Sequence, residues 1–191
     1  MPSAEYSHEL RSQLLGIARD SMTHGVHNAL PLPVDLEALP PPLTRIRASF
    51  VTLRLNGELR GCTGTLEASL PLAMDVAQTA CSAALSDPRF FPVTPGEVDA
   101  VSVGISVLSP LTPMNVAGEE DLLRQLKPEI DGLVLFMGRF RATFLPKVWE
   151  QLPEPRAFVR ELKRKAGLPA EFWSPELSLY RYHTEDFAEA S

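Results

Sequence analysis

The segment that decides the fold is Ser49-Phe50-Val51-Thr52-Leu53-Arg54-Leu55-Asn56-Gly57-Glu58-Leu59-Arg60-Gly61-Cys62-Thr63-Gly64. Its first part is rich in residues that favour β-strands, and it ends at Asn56-Gly57. This pair tolerates the positive φ of a two-residue hairpin turn, so we expect a second strand over residues 58–65. Because a tight hairpin pairs its strands antiparallel, the segment predicts an antiparallel sheet.

Helical and strand patterns continue on both sides of this hairpin. Upstream, apolar residues at helical spacing predict an amphipathic helix over 10–22, capped by Ser7 and ending near Gly25. The proline-rich stretch 30–42 predicts an irregular, ordered connection. Downstream we expect helices over 71–86, 119–126, 146–151 and 154–166, strands over 101–107 and 177–183, and a hairpin of 132–136 with 140–144. Hairpins without a steady βαβ rhythm indicate an α+β fold, an antiparallel sheet with packed helices.

Composition and charge limit the classes of function. The 191 residues are 45% hydrophobic and 22% charged, which is ordinary for a globular protein and suits a single domain over 1–191 with one core, although two fused lobes are also compatible with this length. A net charge of -6 without a broad basic patch argues against nucleic acid as a partner. Without a signal-like N-terminus or an apolar run near ~20 residues, no membrane association is expected and the protein should be cytoplasmic.

The glycine-flanked thiol in Arg60-Gly61-Cys62-Thr63-Gly64 is the strongest candidate for a functional site. A neighbouring guanidinium and backbone N–H groups can favour the thiolate of Cys62. In the structural alternative, the glycines shape a bulge and Cys62 is a small buried apolar residue, like most free cysteines. Both interpretations stay open from the residues alone.

Chemistry at this thiol would also need a general base. The candidates are the four histidines His8, His24, His27 and His183, and their spacing assigns none of them. His24 and His27 flank Gly25 at a helix end without a third ligand, so no metal site is expected there. The other cysteine, Cys81, forms no C-x-x-C pair with Cys62, and both are expected to be free thiols.

A second candidate lies in Asp87-Pro88-Arg89, where a rigid turn combines an acid and a base. Asp87 can close the turn while Arg89 pairs with it, or both side chains can face a ligand. The chain has no P-loop and no G-x-G-x-x-G, H-E-x-x-H or G-x-S-x-G motif, which removes the commonest nucleotide, zinc-protease and serine-hydrolase interpretations.

The segment Leu59–Gly64 resembles the LRGCIG signature of the AMMECR domain family, also called protein A of the AmmeMemoRadiSam system. Segments 83–90, 105–110, 143–146 and 165–168 match the family in the same order, so the resemblance spans about residues 6–187. Thr63 replaces the isoleucine of the signature, and Ala142 stands where glycine is usual. Lys163 occupies a position where many relatives have a second cysteine, which argues against a two-cysteine mechanism.

This resemblance implies an α+β fold of two closely packed lobes, with the signature segment facing the cleft between them. It also implies a link to Memo-like proteins and to a radical-SAM protein, but it assigns no cofactor, metal, substrate or activity. We therefore expect a cleft for a small molecule or peptide around residues 59–64, in a cysteine-dependent enzyme or maturation factor with Cys62 as nucleophile. The alternative is a non-catalytic adaptor or protein-interaction domain. The expected ligand-binding residues are Arg60, Gly61, Thr63, Gly64, Asp87 and Arg89.

Overall fold

The computed structural model describes residues 5–189 and contains helices and strands in an α+β arrangement, as expected. The helices α1 to α5 are His8–Asn28, Pro41–Thr44, Leu72–Leu85, Glu119–Gln125 and Pro155–Ala166. The strands β1 to β8 are Ser49–Leu55, Glu58–Gly64, Val101–Leu108, Thr112–Pro113, Gly132–Met137, Phe140–Phe144, Ser178–Tyr182 and Thr184–Ala188. Short 3-10 segments lie at Leu36–Ala38 and Pro146–Glu150.

The chain is arranged as two compact units. The first comprises the described residues up to Leu108 and from Glu185 onward, and the second is Ser109–Thr184. Each unit has its own cluster of buried hydrophobic side chains. The first unit contains a sheet with the strand order β2-β1-β3-β8, and the second contains one with the order β4-β7-β5-β6. That both units form one domain stays a prediction.

The hairpin of β1 and β2 forms as the sequence predicts. The strands pair antiparallel, and the turn residues have φ angles of 53° at Asn56 and 83° at Gly57. Thr52 lies opposite Cys62 in this pairing. Because β3 occupies the other side of β1, β2 is an edge strand of its sheet. The backbone groups of β2 that point away from β1 therefore need partners from elsewhere in the chain.

Helix α3 packs against both α1 and the hairpin because most of its residues are small. Its alanines and Cys81 are buried, and a Cβ on Gly25 of α1 would lie only 2.6 Å from Cys81 Sγ. The Ser21 hydroxyl of α1 donates a hydrogen bond to the Ala77 carbonyl at 2.7 Å. Ser7 caps α1 as predicted, although that helix continues to Asn28, past Gly25. These contacts fix the position of α3 against α1.

The second unit is built around the predicted hairpin of β5 and β6 and helix α5. Trp149 stacks on Phe158 with ring centroids 3.8 Å apart. Lys163 is fully buried, and its ammonium donates to Glu119 at 2.8 Å. Helix α5 ends at Gly167, whose φ of 86° suits glycine, as the sequence predicts.

The C-terminal part of the chain contains the predicted strand and a further one. The strand expected over 177–183 is present as β7 in the sheet of the second unit, and the chain then changes to the sheet of the first unit, where β8 was not predicted. The change occurs at His183, the single residue between the two strands. Across residues 5–189, no helix is both long enough and apolar enough to span a membrane.

Candidate functional site

Cys62 lies on the edge strand β2, where its two backbone polar groups are bound by side chains. Its N–H donates to Asp87 Oδ2 at 2.8 Å, and its carbonyl accepts a hydrogen bond from Arg89 Nη2 at 3.3 Å. Asp87 and Arg89 therefore occupy the positions that a neighbouring strand would otherwise take. The structure brings these three predicted site residues into one hydrogen-bonded cluster.

The Asp87–Arg89 pair is bidentate. Arg89 Nε lies 3.0 Å from Oδ1 of Asp87, and Arg89 Nη2 lies 2.7 Å from Oδ2. The Asp87 side chain is only 3% exposed, whereas that of Arg89 is 56% exposed. The hydrogen-bonded guanidinium, with the N–H groups of Cys62 and Arg89, holds the pKa of the Asp87 carboxyl well below its usual range. The turn-closing pair considered from the sequence is therefore present, and a ligand role for either residue stays a prediction.

Cys62 is a half-buried residue, and its sulfur accepts a hydrogen bond from the Thr52 hydroxyl at 3.3 Å. Within residues 5–189, neither a histidine nor a carboxylate is a hydrogen-bond partner of this sulfur. His183 instead lies beside the Ile130 carbonyl, with its Nδ1 3.2 Å from that oxygen. The described contacts therefore supply no general base to Cys62. Burial raises the pKa of the other thiol, Cys81, which disfavours its reactive thiolate form.

Arg60 is directed away from the thiol. Its guanidinium binds Glu97 through Nε at 2.9 Å and Nη2 at 3.1 Å, and it donates to the carbonyls of Phe91 and Pro92. The Arg60 hydrogen bond is the main reason that the pKa of Glu97 is lowered to about 2. Arg60 therefore anchors the loop at 91–97 to strand β2. Ligand binding at Arg60 stays a prediction, and an anionic ligand would have to compete with the Glu97 carboxylate for this guanidinium.

The two glycines beside the thiol are required by close packing. A Cβ on Gly61 would lie 2.2 Å from the Ala83 carbonyl oxygen of α3, and one on Gly64 would lie 2.4 Å from Cγ of Phe50. Both distances are far below van der Waals contact. Gly61 therefore allows β2 to approach the backbone of α3, which supports a structural role for that glycine.

Thr63 and Gly64 line a pocket of about 160 Å³ in the first unit. Thr63 faces α3, because its hydroxyl donates to the Thr79 carbonyl at 2.9 Å. Successive side chains of a strand point to opposite faces, so the thiol of Cys62 lies on the face away from this pocket. The full lining is Thr63, Gly64, Thr65, Ser69, Leu70, Asp75, Gln78, Thr79 and Ser82.

Sequence reasoning missed the part of this pocket that α3 contributes. Asp75 is its most unusual member, since it is 2% exposed and accepts a hydrogen bond from the Ser49 hydroxyl at 2.6 Å. Burial is the main reason that the pKa of Asp75 is raised. A signal was present, because Asp75 lies between Leu72 and Thr79 on the stripe of α3 that faces the interior. A carboxylate in such a stripe indicates a buried polar site.

Comparison with known proteins identifies the family. The AMMECR1 family model matches residues 15–187. The chain belongs to the AMMECR1 family. A relative from Methanothermobacter thermautotrophicus is 36% identical over an alignment of 193 positions, which covers 99% of each chain. A relative from Methanocaldococcus jannaschii is 35% identical over 160 residues, which cover 82% of this chain and 80% of the relative.

A solved structure of this AMMECR1-like fold is also available for comparison. The crystal structure of an uncharacterised protein from Pyrococcus horikoshii is similar with a TM-score of 0.85 at 30% sequence identity. The similarity covers 93% of this chain and 90% of that one. The family and the α+β fold class expected from the sequence are therefore confirmed.

Proposed function

We propose that this AMMECR1-family protein binds a small polar molecule in the pocket beside Thr63 and Gly64. The pocket itself carries the proposal, because it joins two signature residues to a set of polar side chains on and near α3. Among these, the side chains of Ser69, Gln78 and Ser82 make no hydrogen bond to any other residue of the described part of the chain. Polar groups of this kind are available to orient a ligand.

Cys62 enters the proposal as a separate candidate, a nucleophile or covalent carrier in a cysteine-dependent enzyme or maturation factor. The partial exposure of this residue and the Arg89 guanidinium at its carbonyl support this role. Because the thiol lies on the other face of β2, binding in the pocket does not require it. The two roles can therefore be tested separately.

We expect Ser82→Phe to weaken ligand binding at least tenfold. Ser82 is half-buried and lines the pocket, so an aromatic ring at this position would fill it. Binding is measured by screening a library of small polar compounds through NMR shifts of the Thr63, Gly64 and Thr79 amides. Ser86→Phe is the matched control, since Ser86 is the exposed C-cap residue of the same helix and does not line the pocket.

A second comparison uses Cys62→Ala, which should leave binding unchanged if the pocket acts without the thiol. Loss of binding in this variant would favour the cysteine-dependent version. If no compound of the library shifts the amides of the wild type, or if Ser82→Phe binds as the wild type does, the pocket proposal is wrong.

The adaptor alternative is supported by a different observation, the exposure of Phe91. Its side chain is 89% exposed, while its carbonyl is held by Arg60 at 2.8 Å. Large aromatic residues presented on a fixed backbone are common anchors of protein interfaces. The partners we propose are the cytoplasmic Memo-like and radical-SAM proteins that the family resemblance implies.

For this alternative we expect Phe91→Ser to weaken binding to a purified Memo-like or radical-SAM protein by tenfold or more, as measured by calorimetry. Leu30→Ser is the control, because Leu30 is also exposed, at 65%, but lies at the end of α1. If neither protein binds the wild type, or if both variants bind equally well, the adaptor role of Phe91 is ruled out.

A further inference from the structure

Asp75 is the single ionisable side chain that lines the pocket beside Thr63 and Gly64. The side chain that binds it is a hydroxyl, that of Ser49. No arginine, lysine or histidine within residues 5–189 forms an ion pair with Asp75. The pocket therefore presents one acidic group and no basic group.

A buried carboxylate without a cationic partner is unfavourable, because removal from water penalises its charge and hydrogen bonds from the neutral donors of Ser49 compensate only part of that cost. Two other carboxylates near the signature segment have cationic partners. Asp87 is paired with Arg89, and Glu97 is paired with Arg60. Asp75 thus lacks the countercharge that both of these carboxylates have.

We infer that the pocket accepts a small primary ammonium compound that also carries a hydroxyl or amide group, with the ammonium bound at Asp75. The volume of about 160 Å³ corresponds to roughly five water molecules at about 30 Å³ each, which suits a group of a few non-hydrogen atoms. Ser69, Gln78 and Ser82 supply uncharged partners for the remainder of the ligand. Since this inference rests on the proposed function, its test separates the charge of the ligand from binding itself.

The test compares three probes of similar size but different charge: ethanolamine, which is a cation, ethylene glycol, which is neutral, and glycolate, which is an anion. Each is titrated into the protein at neutral pH while the amide shifts of Thr63, Gly64 and Thr79 are followed. We expect ethanolamine to bind at least tenfold more tightly than ethylene glycol, and glycolate to cause no shift. Asp75→Asn keeps an oxygen that accepts from the Ser49 hydroxyl, and in this variant ethanolamine and ethylene glycol should bind with equal affinity. Asp20→Asn is the matched control on the exposed side of α1.

Equal binding of ethanolamine and ethylene glycol by the wild type would overturn the inference without any variant. So would an Asp75→Asn protein that keeps the preference for ethanolamine. If the three probes fail while another compound of the library shifts the same amides, the charge inference is wrong but the binding function stands. Shifts by ethanolamine that persist in Ser82→Phe would place the ammonium outside this pocket and would also contradict the inference.

Discussion

Replacing Gly61 by alanine is expected to lower the free energy of unfolding by about 3 kcal/mol. The new Cβ would lie 2.2 Å from the carbonyl oxygen of Ala83 and 3.2 Å from its carbon. Both are backbone atoms of α3, so no side-chain rotation can relieve the overlap. The edge strand and the helix would have to separate, with loss of packing around Leu53, which also lies near Gly61.

The measurement is urea denaturation, in which a lower midpoint at an unchanged slope reports lost stability. Gly16→Ala is a control with the opposite sign. Gly16 lies on the exposed side of α1, and its added Cβ would meet nothing within 4 Å. Alanine should therefore stabilise that helix by about 0.5–1 kcal/mol. If Gly61→Ala costs less than about 1 kcal/mol, β2 does not depend on close approach to α3.

The sequence predicts local structure well here because its local signals are strong. Asn56-Gly57 specifies the first hairpin, and the alternation over 101–107 specifies β3. By contrast, β8 contains Glu185 and Asp186 and follows β7 after a single residue, without a glycine or proline at the boundary. Its pairing beside β3 depends on contacts between distant parts of the chain, which local patterns do not encode.

The candidate site also has one part that local sequence signals predict and another that depends on distant contacts. The signature segment can be located from the sequence, because glycines beside a cysteine directly after a hairpin turn are unusual. The partners of that segment come from other elements. The bond from Cys62 to Asp87 joins residues 25 positions apart, and the pocket unites Thr63 with α3. Only a fold can show that the thiol and the pocket lie on opposite faces of β2.

Replacing Asp87 by alanine is expected to cost about 3 kcal/mol of stability at neutral pH. The variant removes the acceptor for the backbone N–H groups of Cys62 and Arg89, which lie 2.8 and 3.0 Å from the carboxylate. Hydrogen bonds to a charged group are worth about 1.5–3 kcal/mol each. The Arg89 guanidinium adds little, because it is 56% exposed and regains water when its partner is lost.

This cost should also depend on pH, in a direction set by the lowered pKa of Asp87. A carboxyl that ionises more readily in the folded state than in the unfolded state stabilises the fold at a pH above its unfolded pKa of about 3.9. That stabilisation declines as the pH falls through about 4 toward the lower pKa of the folded state. The difference between wild type and Asp87→Ala should therefore be constant from about pH 7 to 5 and shrink below it. Glu97, with its pKa lowered to about 2, responds in the same direction in both proteins, so its contribution cancels in that difference.

Asp87→Asn distinguishes the charge of this residue from its hydrogen-bonding capacity. Its amide oxygen can still accept the Cys62 N–H, but it has no charge to hold the exposed Arg89 guanidinium against the carbonyl of Cys62. We expect Asp87→Asn to lose less stability than Asp87→Ala. Because asparagine does not titrate, residue 87 should then contribute nothing to the pH dependence of the free energy of unfolding. The free energies of unfolding of the three proteins are compared by denaturation at several values from pH 7 to 3. A wild-type advantage over Asp87→Ala that stays constant down to pH 3 would show that the stabilisation by Asp87 does not depend on its ionised carboxylate, and the proposed role of that charge at the edge strand would be wrong.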